Sequence, residues 1–303
     1  MMMVNEINKI LVPLDFSRNQ DRFLKIVADV ALRHHAKIHF LHVVKSGLLG
    51  TGSAFSGKFY YHGKALLDNS RSQLNRTRKK FESLYKIPVE TATAVGSVAA
   101  CIADYAAEHC MSLIILGVRY PGKRPGFVSS NSYEIISSSI VPVLSVPSVC
   151  TRSDFSEVLY PVRHTEGVMA KLDPVLPIAL KNDSEIRLQG IASEKKQAAL
   201  SAVTQTVSAL QDKLREEKLK CHVGEIVFSE NPEEEILKQS EQCDADLLAV
   251  NVTTEKPLTK IFKNNFTENI IYKSKIPVLF CRKPKTVTAL EQYTEMPYPV
   301  FPV

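Results

Sequence analysis

The feature that most constrains this chain is that it states one pattern of segments twice. Each half opens with a short β-branched run: Lys9-Ile10-Leu11-Val12-Pro13-Leu14-Asp15-Phe16-Ser17, then Val158-Leu159-Tyr160-Pro161-Val162-Arg163-His164-Thr165. Each closes with another around a proline: Ile140-Val141-Pro142-Val143-Leu144-Ser145-Val146, then Ile276-Pro277-Val278-Leu279-Phe280. Between them lies a helical pattern followed by an apolar strand, at residues 99–109 and 113–117 in the first half and at 233–242 and 247–251 in the second. A repeat this long means two similar domains, not a solenoid of small units. The 303 residues suit two units of roughly 150 residues, each able to bury a core. The expected division is 1–150, 151–285 and a polar, then Pro-rich tail at 286–303. That tail cannot continue a helix and is expected to lie over a domain surface or to be disordered.

The first half reads as alternating strands and helices. Strand one (10–14) is followed by Ser17-Arg18-Asn19-Gln20, a capping-box pattern. Phe23, Leu24, Ile26, Val27, Val30 and Ala31 then fall on one face of a helix. Strand two covers 37–44, a Gly-rich loop 46–63, and a basic helix about 64–85. Strand three (89–95) ends at Gly96-Ser97, a turn and helix cap, strand four ends at Gly117, and a helix around Tyr133 precedes strand five. This alternation implies an α/β fold of two doubly wound, parallel, five-stranded sheets. Strand-to-helix turns then share the carboxyl edge of each sheet, where ligands bind. The second half follows the same order with a shorter middle: Arg163 aligns with Asp15 (163 − 15 = 148) and Asn251 with Gly117 (251 − 117 = 134). The 14 missing residues (148 − 134) match the loss of the 46–63 loop.

Composition excludes several classes. No apolar run reaches the length of a membrane span, and the opening Met1-Met2-Met3-Val4-Asn5-Glu6 has no basic region before an apolar core, so no secretory leader is expected. The six cysteines, with no C-x-x-C pair, are expected to be reduced, those at 101, 110, 243 and 281 within or beside apolar patterns, in a cytoplasmic protein. Net charge is +6, shared as 18 − 10 = +8 over 1–150 and 20 − 22 = −2 over 151–303. The basic clusters at Arg71–Lys80 and Arg119–Arg124 are accompanied by no recognition motif, which argues against nucleic acid.

These segments together resemble a tandem universal stress protein. The matching residues are Ile10 to Ser17, Phe40-Leu41-His42-Val43-Val44 and Pro142 to Val146, then Asp246-Leu247-Leu248-Ala249-Val250, Asn265 to Ile271 and Pro277-Val278-Leu279. The resemblance implies an adenine nucleotide alpha hydrolase-like fold, with the halves paired through their fifth strands as an intramolecular pseudo-dimer; a homodimer of such pairs and unknown protein partners stay open. Family members that bind ATP are similar in a further motif, G-x2-G-x9-G-[S/T] after strand four, whose backbone N–H groups and hydroxyl hold phosphates, and in an aspartate at the end of strand one that contacts adenine. By that spacing the first half keeps Asp15, Val43 and Gly117 but has Tyr120, Ser130 and Asn131 at the remaining positions. The second half has Arg163, Asn251, Thr254, Asn264 and Asn265. ATP binding is therefore not expected in the second half, and no cofactor is expected in the first, where Tyr120, Pro121 and Pro125 crowd the loop. The alternative is ATP held by the first half alone, on Asp15, Val43, Gly117, Ser130 and Asn131; equally, Asp15 can serve only to end a strand and cap a turn.

The resemblance implies a non-enzymatic, stress-associated regulatory or binding protein. No H-E-x-x-H, P-loop or Ser/His/Asp order is present. His39 and His42 lie an odd number apart on one strand and face opposite ways, against a shared metal. Phe55, Phe59, Tyr60 and Tyr61 in the 46–63 loop suit either a lid or a variable surface insertion.

Overall fold

The computed structural model describes residues 6–16, 20–45, 57–120, 130–165, 167–192, 197–252, 266–282 and 300–302. In the first half the strands are β1 (Lys9–Pro13), β2 (Lys37–Lys45), β3 (Val89–Gly96), β4 (Leu113–Val118) and β5 (Val143–Pro147), with helices α1 (Gln20–His34), α2 (Gly57–Tyr85), α3 (Val98–Glu108) and α4 (Ser130–Ser138). The second half has β6 (Glu157–Val162), β7 (Glu185–Ala192), β8 (Lys220–Val223), β9 (Val227–Phe228), β10 (Leu247–Asn251) and β11 (Val278–Cys281), with α5 (Leu172–Asn182), α6 (Gln197–Glu216), α7 (Pro232–Gln242) and α8 (Phe266–Lys273).

Within each half the strands pair in parallel, and β11 pairs antiparallel with β5, so one sheet runs β3-β2-β1-β4-β5-β11-β10-β6-β7-β8. Both faces are buried, which is why the strands read as near-continuous apolar runs. One core lies under α1, α2, α5 and α6 and includes Ile10, Phe40, Phe81, Leu144, Tyr160, Leu210 and Leu279. The other lies under α3, α4, α7 and α8 and includes Leu11, Ile102, Ile135, Ile236, Ile270 and Phe280. Each core crosses the β5–β11 junction, so neither half closes its core alone.

The repeat is legible in the register. Ile10 pairs with Leu113 and with Ile38; Val158 pairs with Leu247 and with Ile186. The offsets are 148 for the first and second strands (158 − 10, 186 − 38) and 134 for the fourth (247 − 113). For the third strand, Val89 and Cys221 face Ile38 and Ile186, an offset of 132 (221 − 89). The shortening therefore falls between the second and third strands, where the first half carries residues 46–63.

Three helices in each half end alike. His35 and Asp183 (φ 52 and 48), Lys86 and Lys218 (φ 59 and 58), and Cys110 and Asp244 (φ 51 and 47) are left-handed, and each pair is separated by the local offset of 148, 132 or 134. The residue after each closes the helix, as Ala36 N–H does on the Ala31 carbonyl and Leu219 N–H on the Leu214 carbonyl. The strand starts are also matched. Ser112 Oγ accepts from the N–H groups of Asn8 and Lys9, and Asp246, 134 residues on, accepts from Ser156 Oγ at 2.6 Å and Glu157 N–H at 3.2 Å.

Several expectations are corrected. The second-layer helix begins at Gly57, inside the segment read as loop. Ser97 stands at the helix N-cap without a side-chain hydrogen bond; its carbonyl instead accepts the Cys101 N–H at 2.9 Å. Cys110 is exposed, because its left-handed turn carries it out of the helix face, whereas Cys101, Cys150 and Cys281 are buried. Of the tail, residues 300–302 are described: β12 (Val300–Pro302) pairs antiparallel with Ala92–Ala94 of β3, adding a strand to the long edge of the sheet. Pro302 fits an edge strand, where a missing N–H is tolerated. Ser17 of the capping box and Phe55 lie outside the described residues. No described helix is long and apolar enough to cross a membrane.

Three outcomes are expected. Leu144 and Leu279 face each other across β5–β11 with no exposure; each Leu→Ala change should cost about 2–5 kcal/mol in urea unfolding, and the double variant should show a coupling of at least ~0.5 kcal/mol. Lys86→Gly and Lys218→Gly relieve exposed left-handed residues and should each add about 0.5–1 kcal/mol. His34 is held down to about 4 from 6.5 by burial first, then by the charges of Lys181, Arg33 and His35. Between those values the unfolded chain takes up a proton that the folded chain does not, so stability falls as pH drops from 6.5 toward 4. The wild type should lose more over that window than His34→Gln.

Candidate functional site

In each half the strand order reverses between the first and fourth strands, β1/β4 and β6/β10. Their carboxyl ends form the crevice in which a doubly wound sheet takes a ligand. Each half thus presents one such crevice, and the two are built from different side chains.

In the first half, Asp15 is exposed just beyond β1, Gly117 is exposed near the end of β4, and Val43 is half-buried on β2, paired with Ala94. Ser130 and Asn131 open α4. The expected site residues therefore share one sheet edge. The 121–129 segment, with Gly122, Lys123, Arg124 and Gly126, lies outside the described residues. The chain around Asp15 is anchored by its neighbours: Leu14 N–H donates to the Leu41 carbonyl at 2.9 Å, and His42 Nδ1 donates to the Leu14 carbonyl at 2.7 Å. Phe16 (φ 54) lays its ring 4.4 Å from that of His42. His39, three residues back, points the other way and is hydrogen-bonded to the Tyr105 hydroxyl.

The described ends of the loop after β4 make contacts within the protein. A Cβ on Gly117 would meet the Phe23 ring at 3.4 Å, an ordinary contact. Tyr120 N–H donates to Ser148 Oγ at 3.1 Å. That donor is turned to the chain beyond β5 and not to a ligand.

In the second half the crevice is filled. The Arg163 guanidinium stacks 4.8 Å from the centroid of Phe266, the first residue of α8. Asn251 Nδ2 donates to the Gly167 carbonyl at 2.8 Å, bracing the turn after β6 where Gly167 takes φ 76. Lys171 is buried at the start of α5. Its Nζ donates to the Pro161 carbonyl at 2.8 Å and the Ala249 carbonyl at 3.0 Å, and lies 3.9 Å over the Tyr160 ring. Burial lowers its pKa from 10.5 to about 7. Pro161, Arg163, Thr165, Lys171, Val250 and Phe266 line what space remains, about 20 Å³, room for about one water molecule.

Lys171 and Phe266 line the second crevice and are candidate site residues that the sequence reading did not single out. The signal for Lys171 was present: the offset of 148 places it at the position of Phe23 (171 − 148 = 23), so a lysine stands where its repeat has a core aromatic. Among the described residues no group of three or more His, Cys, Asp or Glu is arranged to hold a metal.

Comparison with known proteins agrees with this architecture. A universal stress protein from Archaeoglobus fulgidus DSM 4304 superposes with a TM-score of 0.72 at 20% identity, over 91% of this chain and 98% of that one. A functionally unknown protein from Pseudomonas aeruginosa PAO1 gives 0.56 at 15% identity, over 91% and 92%. At these identities the likeness is one of fold. No curated protein sequence matches. The model of the universal stress protein family matches residues 6–147 and 170–282, the two halves of the repeat in turn. With both segments matched over well beyond half its length, the chain belongs to the universal stress protein family.

Proposed function

We propose that this is a non-enzymatic, stress-associated regulatory or binding protein of the cytoplasm, built of domains 1–150 and 151–285 with a tail at 286–303, in which the second domain does not take ATP and the first has lost it as well. The observation that carries the reading is the filled crevice of the second half. Arg163 stacked on Phe266, with Lys171 beneath, leaves about 20 Å³, against the few hundred Å³ that a ligand of nucleotide size requires. An arginine at the position of Asp15 also presents donors where adenine would need an acceptor.

In the first half the reading is supported by Tyr120, whose N–H is engaged by Ser148. Among the described residues no nucleophile–base pair stands at either crevice to support a catalytic role. With the second crevice filled, the function is carried by the outer surfaces of the paired domains. The β5–β11 pairing uses the fifth strands within one chain and leaves α1–α8 and the outer sheet edges for partners, a second copy included.

A second reading, an ATP sensor acting through the first domain only, is favoured by one observation. Asp15, Val43, Gly117 and Asn131 are gathered at one sheet edge and are not plugged as their counterparts are. Native mass spectrometry of the full chain titrated with Mg-ATP separates the two. No adduct at millimolar nucleotide is the expected outcome. One nucleotide per chain, lost in Asp15→Ala and kept in Arg163→Ala, would establish the sensor instead.

A further inference from the structure

We propose that the outer edge of β3 is a strand-docking site, and that a second copy of this chain fills it with the same segment, Val300–Pro302, that fills it here from its own chain. This goes beyond the reading of the two crevices and holds whether or not either of them takes a nucleotide.

The edge is the first argument. β12 pairs with three of the eight residues of β3: Val300 with Ala94, Phe301 with Thr93 and Pro302 with Ala92. Those three β3 residues are buried, whereas Thr91 and Val95 on either side are half-buried. The stretch is interior in character. Without a neighbouring strand it would present a row of unpaired N–H and C=O groups, the template to which an extended chain adds. Antiparallel pairs alternate between those that exchange both backbone bonds and those that exchange neither. Pro302 has no N–H to give, which suits a pair of the second kind and leaves Phe301–Thr93 as the exchanging pair. The other end of the sheet differs. The offset of 132 carries Ala92–Ala94 to Gly224, Glu225 and Ile226 (92 + 132, 94 + 132), which lie between β8 and β9. There the Gly224 N–H donates to the Leu188 carbonyl at 2.9 Å, and the Glu225 carbonyl accepts from Gln189 Nε2 at 2.6 Å. Among the described residues each copy therefore has one such edge and one strand that fits it.

The second argument is the length of the tether. Seventeen residues, 283–299, separate Arg282 from Val300. In the strand order β12-β3-β2-β1-β4-β5-β11, six spacings lie between β11 and β12, about 29 Å across the sheet at the usual strand separation. A chain of that many residues reaches up to about 60 Å when extended. The covalent link is therefore roughly twice as long as pairing within one chain requires, and it does not confine the strand to its own edge. What favours the chain's own strand is the local concentration that a tether supplies, on the order of millimolar for a short linker. At chain concentrations near that value a neighbour's strand competes on equal terms, because it makes the same backbone bonds. With one edge and one strand per copy, reciprocal exchange closes at two chains that swap an identical element.

The test uses the full chain and the variant Phe301→Pro, which removes the N–H of the exchanging pair and is checked for an unchanged urea midpoint. Sedimentation velocity up to about 1 mM chain, the range set by the tether, should show the wild type passing from monomer to dimer and Phe301→Pro remaining monomeric. A fluorescently labelled peptide of residues 296–303 stands in for the neighbour's strand. By anisotropy it should bind the Phe301→Pro chain about tenfold more tightly than the wild type, whose edge is vacant in only a minority of molecules. The same peptide carrying Phe301→Pro should bind neither chain. A wild type that stays monomeric throughout would overturn the second copy as occupant even if the peptide binds, and the edge would then be left to a strand from another protein. A dimer formed equally by both chains would place the contact elsewhere. A peptide that binds neither chain, or both alike, would remove the docking site itself.

Discussion

The antiparallel pairing of β5 with β11 is the contact on which the rest of the molecule depends. Three residue pairs, Val278–Ser145, Leu279–Leu144 and Phe280–Val143, join what would otherwise be two exposed sheet edges. All six residues are essentially buried, so the junction is a continuation of the core and not a polar seam. An edge strand this apolar is an aggregation hazard if left open, and pairing with its own repeat removes the hazard within one chain. It also makes both helical layers continuous across the halves. The outermost strands are then β3 and β8. β8 is short, and β3, eight residues long, is partly covered by Val300–Pro302. The two open edges are thus managed by brevity and by the chain's own end.

Duplication with a conserved backbone has let the two crevices diverge. The left-handed helix ends at matched offsets show that the main chain kept its course even where no glycine eases it. The side chains did not keep theirs. Asp15, Phe23 and Gly117 in one half correspond to Arg163, Lys171 and Asn251 in the other. In the first half Phe23 packs against the bare Gly117. In the second, Asn251 reaches Gly167 and Lys171 reaches the backbone of β6 and β10. The crevice at the switch in strand order has thus become, in the second half, one that its own side chains nearly fill.

The repeat, the strand and helix order, the doubly wound class and the erosion of the phosphate loop were legible in the residues. They rest on local signals: the alternation of apolar segments, prolines before the fifth strands, and glycines present or absent at fixed spacing. The helix start at Gly57 was not legible, because a glycine-bearing, aromatic stretch carries breaker and helix signals together. Nor was the strand at Val300–Pro302, since three residues, one of them a proline, have no periodicity to read, and their partner lies some two hundred residues away in β3.

By itself, then, the sequence determined that there are two copies of one α/β unit and that the second lacks the glycines of the phosphate-loop spacing, because both follow from residue types at fixed intervals. Only the tertiary structure decided what occupies the vacated crevice. Arg163, Lys171, Asn251 and Phe266 are spread over a hundred residues, and their meeting depends on the sheet bringing β6 beside β10 and the helix starts over their ends. Charge, stacking and burial act through space, and no interval along the chain records them.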